Sequence, residues 1–95
     1  MQAINGIKIF KINDCDWFAA KTLELAIECA KSEFDYTENG IEDPCELTDE
    51  DVDRLQFYLT DDDDNPVKTV SFRDALVIKI AQGETFPYIF ASTEQ

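Results

Sequence analysis

Ninety-five residues are enough for one domain with one modest core, so function has to be carried on or near the surface. At 44% hydrophobic and 12% aromatic the chain is too apolar for a disordered tail. Its net charge of −13 repels nucleic acid and anionic membrane alike, so neither is expected as a direct partner, and a basic protein is.

The run Gly6 to Ile12, GIKIFKI, is rich in β-branched residues and predicts a first strand. Asn13, Asp14, Cys15 and Asp16 supply turn chemistry, and Trp17–Ala20 (WFAA) returns as a short second strand. Thr22 is placed to cap a helix. Behind it Leu23, Ala26, Ile27, Ala30 and Phe34 recur at the spacing of one helical face, with Glu24, Glu28 and Lys31 opposite. From Asp35 to Leu47 this pattern breaks, and Asn39-Gly40 and Pro44 mark a loop.

A compact start signal follows, LTDEDV. Thr48 caps while Asp51 reaches back, and Leu47 packs on Val52 as a hydrophobic staple, predicting a short helix over 49–54. Leu55, Phe57 and Leu59 then alternate with Gln56, Tyr58 and Thr60, the pattern of a half-buried strand. Across an aspartate loop, Val67–Val70 form the returning strand of a hairpin. Ser71 and Asp74 make a second capping box, opening a helix that Gly83 ends. Its apolar residues Phe72, Ala75, Leu76, Ile78 and Ile80 wrap more than one face, which predicts a well-buried helix. The last strand is FPYIFAS, with Phe86, Tyr88 and Phe90 on one side, and Pro87 marks an edge position or the strand's start. The order β-β-α-(short α)-β-β-α-β predicts one α+β domain over 1–95. Its expected form is an antiparallel or mixed sheet of about five short strands, with two helices packed on one face and a short acidic third helix.

Charge is concentrated. Glu42, Asp43, Glu46, Asp49, Glu50, Asp51, Asp53, Asp61, Asp62, Asp63 and Asp64 face a single base, Arg54, within 23 residues, a net of −10. The rest of the chain carries −3. Asp49, Glu50 and Asp51 have a local reason, since carboxylates suit the first turn of a helix. The run Asp61–Asp64 does not. Adjacent aspartates about 7 Å apart repel by roughly 0.6 kcal/mol per pair before screening, and a turn needs no such run. If the short helix and the hairpin tip lie together, these eleven carboxylates form one strip that imitates a stretch of nucleic-acid backbone. It would then fit the Lys/Arg groove of a nucleic-acid-binding protein. Tyr36, Tyr58 and Tyr88 are candidate interface anchors beside it.

The acids of ELTDEDVD and TDDDDNP on a compact α+β frame carry a resemblance. In size, charge and layout the chain resembles the small acidic proteins that phages and prophages encode against host defences, of the anti-CRISPR and DNA-mimic kind. The resemblance implies a non-enzymatic inhibitor acting in the host cytoplasm, and assigns no residue roles of its own.

Other chemistry is narrowed by what is missing. There is no histidine, which removes Ser-His and Cys-His nucleophile activation and most transition-metal sites. Three glycines form no phosphate loop, and no carboxylate pair sits in an apolar run that would raise its pKa. No enzyme activity and no cofactor are expected. Cys15, Cys29 and Cys45 are odd in number, without CxxC spacing, and MQAINGIKIF does not read as an export leader. This points to the reducing cytoplasm, with two cysteines buried and one indifferent. No run approaches the roughly 18–20 apolar residues of a membrane span.

Two alternatives remain open. Asp35–Glu46 has the length of an EF-hand calcium loop, with Asp35, Asn39, Gly40, Asp43 and Glu46 at suitable positions. Thr37 at the third place, Glu42 at the eighth and Pro44 in the exit count against it. The other alternative is an acidic accessory domain that meets an unrelated protein through an aromatic sheet face.

Overall fold

Asn13 sets the first turn. Its side-chain oxygen accepts from the backbone N–H groups of Cys15 and Asp16, both at 2.8 Å. This Asx arrangement folds β1 (Lys8–Lys11) back onto β2 (Asp16–Ala20). The computed structural model describes residues 1–13, 15–37, 40–60 and 66–92, so Asp14, expected in this turn, lies outside the described residues. The β1–β2 pair is the centre of an antiparallel sheet ordered β3-β1-β2-β6. Here β3 is only Cys45–Glu46, and β6 is Tyr88–Ser92. A second sheet holds β4 (Gln56–Thr60) against β5 (Pro66–Ser71). The helices are α1 (Leu23–Glu33), α2 (Asp49–Arg54) and α3 (Phe72–Ala81).

The α+β class holds, but two details of the expected layout do not. Among the described residues six short strands lie in two sheets, not about five in one. The two longer helices also belong to opposite faces of the main sheet. Ile9, Trp17 and Ala19 share a core with Phe72, Ala75 and Leu76 of α3, together with Leu47, Val52 and Phe90. Phe10, Phe18 and Ala20 share the other core with Ala26, Cys29 and Ala30 of α1. The physical reason is that β1 and β2 are apolar at both parities. A strand with two apolar faces has to be covered twice, and α1 alone covers one.

Three cap side chains start the helices where the sequence places them. Thr22 Oγ1 accepts from Leu25 N–H at 3.2 Å, and Ser71 Oγ from Asp74 N–H at 3.2 Å. Around α2 the box is complete: Thr48 Oγ1 accepts from Asp51 N–H at 3.1 Å, and Asp51 Oδ2 accepts from Thr48 N–H at 3.3 Å. Leu47 and Val52, the expected staple, are both buried in one core. Gly83 follows α3 at φ 81, the left-handed conformation that suits glycine at a helix end. α3 is less enclosed than expected. Phe72, Ala75 and Leu76 are buried, whereas Val77 is 48% exposed.

β6 is an edge strand, as Pro87 just before it suggests. Trp17 pairs with Ala91 while Phe18 pairs with Ile89, so Phe90 is an extra residue in the ladder. This bulge lets Phe90 and Ala91 both join the core under α3, while Ile89 packs on the α1 side. It also separates the aromatic residues expected on one side. Tyr88 meets Phe34 at 5.5 Å, and Phe90 meets Phe72 at 5.1 Å in the opposite core.

Phe72 ties the second core together. Its ring centroid lies 5.4 Å from Trp17, 6.3 Å from Phe57 and 5.1 Å from Phe90, all edge-on, the favoured geometry for aromatic pairs. Its N–H also donates to Leu55 O at 3.1 Å, so α3 begins against the C-cap of α2. Phe72→Ala is expected to destabilise the fold by about 3–5 kcal/mol, read as a lower urea midpoint. A loss under about 1 kcal/mol would mean the aromatic cluster repacks without it.

Candidate functional site

The acidic stretch leaves the β1 end of the sheet and climbs into α2. Glu42 N–H donates to Ile12 O at 2.9 Å, and Leu47 N–H to Ile9 O at 3.0 Å. These bonds lay the segment along β1 as the edge strand β3. Glu42, Asp43, Glu46, Asp49, Glu50 and Asp53 are exposed, and Asp51 is half-buried. Seven of the eleven expected site carboxylates are thus carried by one continuous stretch of backbone. Asp61, Asp62, Asp63 and Asp64 lie outside the described residues. The hairpin that leads to them starts directly after α2, and its strand β5 packs against that helix.

Several of these acids are met by cations that the linear charge count leaves out. Glu46 pairs with Lys8 Nζ at 3.0 Å and with the Met1 amino group at 2.8 Å. Arg73, on the first turn of α3, reaches Asp53 Oδ1 at 2.7 Å and Asp49 Oδ1 at 3.5 Å. One guanidinium can meet both only because residues four apart share a helical face. Arg54 pairs with Asp51 at 3.0 Å within the helix. The hydrogen bonds from Met1 and Lys8 hold the Glu46 carboxyl below its usual value of 4.5. Gln2 N–H, then the Met1 amino group and Arg73, do the same for Asp49, and Arg54, then Thr48 N–H, for Asp51. Lys8 and Arg73 are the neighbours of the acids that the sequence alone does not reveal. Both lie far from the acids along the chain, so no local pattern announces them.

A different polar cluster sits at the β1–β2 turn. Asp16 is only 8% exposed, and it accepts from Tyr36 Oη at 2.7 Å and from Asn13 Nδ2 at 3.1 Å. Asn13 Nδ2 also donates to Gly40 O at 2.6 Å. The cluster pins the loop after α1 to the sheet, and it engages the Tyr36 hydroxyl in a structural bond.

Of the calcium-loop residues, Glu46, the bidentate twelfth position, lies in β3 with its carboxylate engaged by two cations. Asn39 lies outside the described residues. Among the described residues no group of three or more Cys, Asp or Glu side chains is gathered in a metal-holding arrangement. The cysteines differ from expectation: Cys29 is buried, and both Cys15 and Cys45 are exposed. Among the described residues no helix is long and apolar enough to cross a membrane. No protein-family model matches the chain, and neither a curated protein nor a solved structure shows significant similarity to it.

A carboxyl whose value is lowered by folding adds stability above its unfolded value and loses it as pH falls through the folded value. Glu46, Asp49 and Asp51 therefore stabilise the fold at neutral pH, and their contribution should fade from about pH 5 downward. Lys8→Gln lets the Glu46 value rise, so the midpoint of acid unfolding, followed by circular dichroism, should move to higher pH. An unchanged midpoint would mean that the Lys8 pair contributes nothing to stability.

Proposed function

We propose that this chain is a non-enzymatic cytoplasmic protein that binds and inhibits a basic nucleic-acid-binding protein, as anti-defence proteins of the anti-CRISPR or DNA-mimic type do. One observation carries the reading: the exposed acids Glu46, Asp49, Glu50 and Asp53 are held on ordered elements, an edge strand and a capped helix, with Glu42 and Asp43 in the loop just before them. A cationic groove that docks on a preset row of carboxylates spends little on ordering it. Lys8 and Arg73 on the row are exchangeable, because ion pairs near the surface are worth only about 0–1 kcal/mol. Lys or Arg from a partner can take over Asp49, Asp53 and Glu46. The calcium reading of Asp35–Glu46 is weaker, since Glu46 lies in the edge strand β3 paired with β1 and not in a loop that closes on an ion.

Arg73 acquires a specific part in this mechanism. It occupies the place where a partner's cation would sit, and so competes with binding. Capture from a bacterial lysate at low and high salt, with mass spectrometry of the eluate, should yield a nucleic-acid-binding protein released by salt and by duplex DNA. Against that protein, replacing Asp61–Asp64 with Asn and Ser should weaken binding by about tenfold or more. Asp49→Asn with Asp53→Asn should weaken it as well, whereas Arg73→Gln should tighten it. Salt-insensitive capture, or unchanged affinity in both acid variants, refutes the mimicry and favours an accessory domain that uses another face.

A further inference from the structure

The sheet has a second open margin. Among the described residues β6 pairs only with β2, which leaves the backbone groups turned away from β2 available to an added strand. Beside this edge, between α1 and the start of β6, runs a groove of about 390 Å³. Leu25, Cys29, Pro87 and Tyr88 form its apolar surface, and Glu28 and Glu33 stand at its rim. Leu25 is 37% and Tyr88 52% exposed, unusual for large apolar side chains that flank one depression. The groove is firmly built. Cys29 Sγ donates to Pro87 O at 3.6 Å, and the Phe34 ring braces Tyr88 at 5.5 Å. Burial, and after it Glu33, raises the Cys29 thiol, so this sulfur is an apolar wall and not a nucleophile.

Charge selects the occupant. A second copy adding at this edge would bring two bodies of −13 and two glutamate rims together, which self-repulsion opposes. A cationic segment meets no such barrier. We infer that β6 and this groove form a second docking surface, for an extended basic segment of a protein partner. The segment would lie beside β6 as an added strand, set one apolar side chain in the groove and place a Lys or Arg at Glu28 and Glu33. This surface is independent of the acidic row on β3 and α2, because β3 and β6 are the two opposite margins of the sheet.

The probe is a short capped synthetic peptide alternating valine and lysine, with a valine–glutamate peptide as control, added to the intact chain. In nitrogen-edited NMR the lysine peptide should shift Leu25, Cys29 and Tyr88–Phe90 and slow exchange of the outward amides of β6. Glu28→Lys combined with Glu33→Lys should weaken it by about tenfold, while Asp49→Asn with Asp53→Asn leaves the shifts at Leu25, Cys29 and Tyr88–Phe90 in place. That second pair separates this surface from the acidic row, so either can fail alone. Shifts confined to β3 and α2, equal binding of the glutamate peptide, or undiminished binding to the Glu28/Glu33 variant would overturn the proposal. So would sedimentation showing that the chain pairs with itself through β6.

Discussion

Every residue of β2, from Asp16 to Ala20, is buried, and the rest of the architecture answers to that. A strand covered on both faces needs a layer above and a layer below. α1 supplies one, while α2, α3 and the β4–β5 hairpin together supply the other. The assignment also explains why α1 can be amphipathic while the opposite layer is assembled from small pieces. Each of those pieces contributes one or two large side chains, and Phe72 gathers them. Only Asp16 brings a carboxylate into β2, and Asn13 and Tyr36 satisfy it at the strand's end. Buried carboxylates persist when they are hydrogen-bonded in this way.

The same layering changes what the charge map means. Along the chain the segment from Glu42 to Asp64 is almost unopposed, yet in space Lys8 from β1 and Arg73 from α3 close on it. The acidic row is therefore stitched to the frame by the cations that temper it. That is a compromise between holding carboxylates in place and leaving them free to attract. Arg73 shows it best, since one side chain both orients Asp49 and Asp53 and partly cancels them.

How much of this was readable from sequence depended on how local the cause was. The boundaries of α2 followed from Thr48 and Asp51 because a capping box is complete within four residues. α1 and the hairpin followed from periodicities of similar range. β3 escaped because two residues, Cys45 and Glu46, carry no period, and only their bonds to β1 make them a strand. WFAA, apolar without alternation, is itself the signal for cover on both faces, and it outweighs the expectation of two helices on one face. Lys8 and Arg73 meet their acids through the fold alone, and the bulge at Phe90 leaves no composition mark. Cys15 and Cys45 emerged on the surface because turns and edge strands, not helix faces, happen to hold them.

The position of β6 has a consequence for how the chain reaches this state. The stretch from Thr48 to Ala81 closes largely on itself, through α2, the hairpin and α3, with short loops and little entropy lost in closing them. The main sheet is different, since residues 16–19 must find residues 88–92 across nearly the whole chain. Until that pairing forms, Phe90 is missing from one core and Ile89 from the other. Both layers thus share β6 as a common closing strand, and neither core is complete without it.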